Sequence, residues 1–194
     1  MSKLKAGPVS VPLAALILLL PLLLGCPVRS IFPLFTDAET VFEPGLVGLW
    51  SSADGDKLSF EKAGDKGQYT VTATEEGPDG EIAETRTYIA LLGRLGKALF
   101  LDMSVPVREG EEGHVIPTHT IWRVWLETDA LRMVWLDDDW LGQMIEGKKI
   151  TIAHFRRGDE IVLTAPTAEL QALVKRFADD IAAFPDPERY FRMK

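Results

Sequence analysis

One thiol, three imidazoles and a run of three carboxylates are the groups from which this chain would most readily build chemistry. The thiol belongs to Cys26, the only cysteine in 194 residues. A lone cysteine rules out a disulfide within one chain and a thiolate metal cluster, and leaves the sulfur as an attachment point. Asp137-Asp138-Asp139 gathers three acids, but calcium loops set their acids at alternate positions to wrap oxygens around the ion. Three consecutive acids before Trp140, Leu141, Met144 and Ile145 fit the start of a helix, where they cap free N–H groups and meet the positive end of the dipole. His114, His119 and His154 show no two-histidine spacing and no cysteine partner, so no metal site is expected. His119 falls at a strand edge and is expected in solvent; His154 alternates with Ile152 and is expected partly buried. Ser51, Ser52, Ser59 and Ser104 lack the setting of a nucleophile elbow, and no phosphate loop or dinucleotide fingerprint occurs. The expectation is a protein that is not an enzyme and holds no cofactor. Hydrolysis by acids assembled from distant positions is kept as a third alternative.

The surroundings of Cys26 say more. Lys3 and Lys5 precede an apolar run over residues 11–24, interrupted by Pro12 and Pro21. The run is shorter than the about 20 apolar residues that a spanning helix needs. It reads as an export signal whose basic end stays in the cytoplasm. Leu23-Leu24-Gly25-Cys26 closes it, and this sequence resembles the lipobox of bacterial lipoproteins. The resemblance implies cleavage between Gly25 and Cys26, a diacylglyceryl group on the Cys26 thiol, and a further acyl chain such as palmitate on its new amine. Two or more chains are what a stable membrane anchor requires. In that family an aspartate after the cysteine retains the protein at the inner membrane. Pro27 and Val28 stand here instead, which implies the outer membrane, facing the periplasm, in a two-membrane bacterium. The layout also resembles uncharacterised bacterial lipoproteins of this size.

Removal of residues 1–25 leaves 169, enough for one domain with a real core. Lys3 and Lys5 are the only charges of that segment, so its loss takes the formal net charge from -8 to -10. An acidic balance argues against nucleic acid and against electrostatic binding to anionic lipid, both of which need clustered Lys and Arg.

Residues 26–44 read as the lipidated cysteine and a tether. Pro33 makes a helix through Ile31-Phe32-Pro33-Leu34-Phe35 unfavourable, and packing of this stretch on the domain is preferred to packing on the membrane. Residues 45–184 read as a single β-rich domain. Strands are expected over 46–50, 58–62, 69–74, 82–92, 98–103, 120–126, 131–136, 150–155 and 161–163. Asp54-Gly55-Asp56, Glu76-Gly77-Pro78-Asp79-Gly80, 93–96 and Arg157-Gly158-Asp159 supply turns. A short helix is expected over 138–146. A closing helix carries Leu170, Leu173, Val174, Phe177 and Ile181 on one stripe against the sheet, and residues 185–194 read as a polar tail. The fold class is mostly β, an antiparallel up-and-down meander that either curls into a barrel or covers its exposed face with helices.

Val47-Gly48-Leu49-Trp50 lies on the first of these strands. It resembles the Gly-any-Trp signature of lipocalins, in which the tryptophan plugs the closed end of an eight-stranded barrel. The order of meander and then C-terminal helix is similar to that family, and bacterial lipocalins can be lipoproteins. No counterpart of the family's Thr-Asp-Tyr motif is present, and the helix at 138–146 falls inside the strand series. The resemblance implies a lipocalin-like barrel with a ligand pocket.

Trp122, Trp125, Trp135 and Trp140 crowd one hairpin and the helix after it. Alternation gives Trp122, Val124 and Leu126 one face of the first hairpin strand and turns Trp125 the other way; on its partner Leu131, Met133 and Trp135 share a face, and Val134 and Leu136 take the other. One face must be core; the other is covered by a helix, a partner or an apolar ligand. Trp50, Trp122, Val124 and Trp135 are the candidate ligand-binding residues. The expected role is a non-enzymatic, lipid-anchored envelope protein that binds a small apolar or amphiphilic ligand. The alternative is an accessory subunit that binds another envelope protein through a strand edge or apolar face.

Overall fold

Alternating side chains give each strand one apolar face, and a sheet of such strands that closes into a barrel buries those faces and removes its edges. The structure, a computed structural model, describes residues 26–194 except Asp37, Asp65, Pro78, Glu109, Glu111, Glu112, His114 and Asp159. The export signal with Gly25, and His114, therefore lie outside the described residues. In chain order the elements begin with a short β1 (Arg29–Ser30), β2 (Gly48–Ser52), β3 (Lys57–Ala63), β4 (Gln68–Glu76) and β5 (Ile82–Leu95). They continue with β6 (Ala98–Ser104), β7 (His119–Leu126), β8 (Ala130–Trp135) and helix α1 (Asp138–Glu146). Hairpin β9 (His154–Arg157) and β10 (Glu160–Leu163), helix α2 (Thr167–Arg176) and β11 (Glu188–Arg192) complete the chain.

Strands β2 to β8 each pair antiparallel with the next. β11 then inserts between β8 and β2, antiparallel to both, with Tyr190 opposite Leu131 on one side and Ser52 on the other. The result is a closed, eight-stranded antiparallel barrel of lipocalin-like form. The tail expected over 185–194 is corrected here: its residues 188–192 form the closing strand. The polar composition concealed an alternation in which Glu188, Tyr190 and Arg192 face inward and Arg189 and Phe191 outward. Pairing on both sides supplies what the sparse apolar content does not.

The inward faces form one apolar cluster, with Trp50, Phe60, Tyr69, Val71, Ala90, Leu92, Leu101, Val124, Leu131 and Met133 all buried. A second core lies outside the barrel wall. There Phe100, Ile121, Val134 and Leu136 meet α1 through Trp140 and Leu141 and α2 through Leu170, Leu173 and Val174. Helices thus cover the outer face of the tryptophan hairpin. β1, β10 and β9 extend from β7 as a flap beside them. α1 starts as expected, with Asp137 as its cap: one carboxylate oxygen accepts from Trp140 N at 2.7 Å. α2 stops at Arg176, short of the expected stripe's last two members, and leaves Ile181 85% exposed.

The stretch expected to be a tether over 26–44 is also corrected, because its described residues are held to the domain at several points. Val28 N donates to Leu136 O at 2.9 Å and Ile31 N to Leu163 O at 3.0 Å. Leu34 and Phe35 are buried, and Val41 N donates to Leu92 O at 2.8 Å. Two glycines make room for it. A Cβ on Gly93 would enter the Phe35 ring, and one on Gly67 would enter the Val41 backbone. Gly93 therefore sits inside β5 and not in the turn expected at 93–96. Its role is close approach, which a sequence pattern does not distinguish from a turn.

The lead-in then passes under the barrel. Glu43 N donates to the Tyr69 hydroxyl at 2.7 Å, which donates back to Glu43 O at 3.1 Å. A 3-10 turn over Pro44–Leu46 follows. Trp50 Nε1 donates to Leu46 O at 2.9 Å, and the Arg192 guanidinium lies 4.1 Å from the centre of the Trp50 ring. Arg192 is fixed by Val47 O at 3.0 Å and by Gly45 O. Gly48, at φ +134, leaves the space the Arg192 guanidinium occupies. The Gly-any-Trp spacing thus has a local physical reason, since any side chain at Gly48 would displace the cation from the indole face.

Candidate functional site

The barrel is plugged at the Trp50 end and opens at the other. The inward-facing residues of β5 run from Leu92 and Ala90, both buried, to half-buried Tyr88 and exposed Arg86. Those of β4 run from buried Tyr69 and Val71 to half-buried Ala73 and exposed Glu75. On β7, Val124 is buried while Trp122 and Thr120 are half-exposed. The gradient has the same sense on all three strands, so the interior is solid near Trp50 and becomes a cup toward Trp122.

Trp122 and Trp135 form the cup's aromatic wall. They are opposite each other in the β7–β8 register, with ring centroids 5.2 Å apart and planes at 87°. This edge-to-face contact fixes both rings. Trp122 Nε1 is satisfied by the Thr120 hydroxyl at 2.9 Å. Tyr88 and buried Met103 add apolar surface. Polar character comes from β11, where the Tyr190 hydroxyl donates to Glu188 Oε2 at 2.7 Å. Burial raises the Glu188 pKa, and nearby Asp56 and Asp54 push it the same way. Burial and the Glu188 charge push the Tyr190 phenol well above the usual tyrosine range. The pair supplies a hydroxyl and a carboxyl side by side next to the apolar wall of the cup.

All four residues singled out from sequence face the same barrel interior, at different depths. Trp122 and Trp135 line the cup. Val124, 2% exposed, lies in the packed layer beneath it. Trp50, 0% exposed, plugs the far end. Trp125 points outward, with Arg123 at 4.5 Å and Arg132 at 5.3 Å from its ring centre. Glu188 and Tyr190 are not among the residues expected from sequence, because their segment has the composition of a polar tail. The adjacent aromatics Tyr190 and Phe191, residue types enriched in strands, are the signal the segment offers.

A second constellation lies on the outer wall. Asp102, 1% exposed, faces away from the barrel interior. Its Oδ1 lies 2.7 Å from His119 Nδ1, and its Oδ2 accepts from Leu34 N at 2.6 Å. His119, expected in solvent, is therefore half-enclosed and held by a buried carboxylate. Ser104 is directly opposite His119 in the β6–β7 register. The three line a groove of about 540 Å³ with Phe35, Ile89 and Leu91. His154, as expected, is partly buried, its Nδ1 2.9 Å from Ile152 O. Among the described residues no group of three or more His, Cys, Asp or Glu side chains is placed to hold a metal ion. Cys26 is exposed, and its carbonyl accepts from Asp138 N at 3.3 Å.

No protein-family model matches the chain, and no curated protein or solved structure compared with it does so either.

Proposed function

We propose that the protein is a lipid-anchored envelope lipoprotein that binds a small apolar or amphiphilic ligand in the open end of its barrel. The graded opening of the interior toward Trp122 and Trp135 carries this reading. Apolar parts of the ligand rest on the two indoles, Tyr88 and Met103, and a polar end meets the Tyr190–Glu188 pair. Anchoring rests on the lipobox sequence: cleavage between Gly25 and Cys26, acylation of Cys26, and residence at the outer membrane facing the periplasm. An exposed Cys26 suits it. Because Pro27 is already bridged to Asp137, acyl chains on Cys26 would hold the domain against the bilayer without slack.

Intact and native mass spectrometry of the membrane-extracted protein test both halves. Acyl mass on a chain beginning at Cys26, with a co-purifying small molecule displaced by Trp122→Ala, supports the reading. An unmodified chain that retains residues 1–25 overturns the anchor, and an acylated chain that binds no fatty acid or lipid in titrations overturns the ligand.

One observation favours the accessory-subunit reading. β9 is the outermost strand of its flap and carries Phe155, 61% exposed, and an unpaired edge with an apolar side chain is a template for a partner strand. Co-purification of a second envelope protein that Phe155→Glu abolishes would support it. The hydrolytic reading rests on the Asp102–His119 pair opposite Ser104; turnover of an ester panel lost in His119→Ala would support it, and unchanged turnover would end it.

A further inference from the structure

At the plugged end of the barrel, the β5–β6 and β7–β8 turns flank a cleft of about 670 Å³ whose lining includes Arg94, Lys97, Arg123 and Arg132 with Glu43 and Glu127. Four cations against two acids contrast with a chain whose net charge is -8. The cations are not equally engaged. Arg123 is committed to structure: its Nη1 donates to Val124 O at 2.7 Å and Leu99 O at 3.0 Å, and its Nε to Ala178 O at 3.3 Å. Glu127 is shared between Arg132 at 3.5 Å and Arg189 at 3.7 Å, so its charge is already spent. Arg94 and Lys97 are exposed, and neither side chain has a hydrogen-bond or ion-pair partner among the described residues. Arg132 Nε is buried and has no hydrogen-bond acceptor.

We propose that this cleft binds a phosphate-bearing anion, held by the unpaired Arg94 and Lys97 beside the Arg132 guanidinium, which shares Glu127 with Arg189. A guanidinium meets an oxyanion with paired, charge-assisted hydrogen bonds, and a flexible lysine adds a point charge beside it. Trp125 supports this use. Its ring lies against both Arg123 and Arg132, which holds the Arg132 guanidinium beside the cleft before any ligand arrives. The site is at the opposite end of the barrel from the aromatic cup and does not rest on the reading of that cup. The phosphate has two possible sources, a soluble ester or a phospholipid headgroup.

The test is titration of the purified full chain with inorganic phosphate and with glycerol 3-phosphate at low ionic strength, read by calorimetry and indole fluorescence, against chloride at equal ionic strength. Saturable binding is expected, with a dissociation constant below about 1 mM. Arg94→Gln with Lys97→Gln, both on exposed positions, should weaken it at least tenfold. Arg132→Lys keeps the charge, removes the fork, and should also weaken it, while Lys57→Gln, at the opposite end of the barrel beside Glu76, should not. Responses matched by chloride, or affinity untouched in the Arg94 and Lys97 variant, would overturn the site. Flotation with phosphatidylglycerol and phosphatidylcholine vesicles assigns the source. Capture by vesicles that the same variant loses indicates a headgroup, and binding of glycerol 3-phosphate without capture indicates a soluble ester.

Discussion

Asp102 and His119 are joined at 2.7 Å across two neighbouring strands, on the outside of a barrel, and the carboxylate has no exposed side-chain surface. Its other oxygen takes the Leu34 N–H. One acid therefore ties the lead-in, β6 and β7 together. An isolated carboxylate in such a place would be strongly unfavourable, so the histidine and the amide are what make it tolerable. Asp102→Ala removes an acceptor from both and should cost about 3 kcal/mol, measured by urea unfolding. His119→Ala leaves the acid with one partner and should cost a similar amount. The double variant should cost less than the sum, since the pair is coupled. Additive losses would show that the contact is incidental.

The Trp50 and Trp122 substitutions should separate stability from binding. Trp50→Phe loses the hydrogen bond to Leu46 O and weakens the Arg192 contact, and is expected to lower stability by about 2 kcal/mol. It should leave affinity for a fatty-acid probe within a factor of about two, because it lies below the packed layer. Trp122→Ala should do the reverse, lowering probe affinity about tenfold or more with a smaller stability cost, since its ring is already half-exposed. Equal effects of the two on affinity would place the ligand deeper than the cup.

Gly48→Ala is expected to behave like Arg192→Ala. The first adds a side chain at φ +134 where Arg192 Nη1 now lies, and the second removes the cation from Trp50. Each should cost about 1–3 kcal/mol by thermal or chemical unfolding. The combination should cost less than the sum, because one cause underlies both.

The carboxyl of Glu188 gives a pH signature. Burial raises its pKa above the ordinary 4.5, so the folded state holds the proton more tightly than the unfolded chain does. Between pH 4.5 and the raised value the folded state binds more protons, and stability falls as pH rises. Glu188→Gln keeps an acceptor for the Tyr190 hydroxyl and removes this charge. Its melting temperature should gain on that of the parent as the buffer is taken from pH 4 to pH 7.5. A constant difference across that range would show that Glu188 titrates like a free carboxylate.

Much of this architecture was legible as alternation. Thr70, Thr72 and Thr74 against Tyr69, Val71 and Ala73 announce a half-buried strand, and the two faces of the tryptophan hairpin fall where the pattern puts them. The cap at Asp137 was legible because acids before an amphipathic run have one simple use. Three things were not. Glu188 to Arg192 holds two basic residues and an acid in five positions, so its membership of the barrel comes from neighbours far away in sequence. Gly93 looks like a turn and is a slot for Phe35. Asp102 and His119 lie on separate strands, and only the β6–β7 register brings them together. Local pattern encodes which face a residue takes; it does not encode which residue stands beside it.

The position of β11 also has a kinetic consequence. Strands β2 to β8 can pair in the order in which the chain presents them, each with a neighbour one short turn or loop away. The ring closes only when Tyr190 reaches Ser52 on one side and Leu131 on the other, after two helices and a hairpin have intervened. Until then the curled sheet has two open edges, and loop closure of that length is slow compared with hairpin formation. A chain delivered unfolded across a membrane would pass through this seven-strand state, open along one seam, and would be most exposed to misassociation there. The last strand acts as a latch, and the time taken to set it is the interval in which the protein is vulnerable.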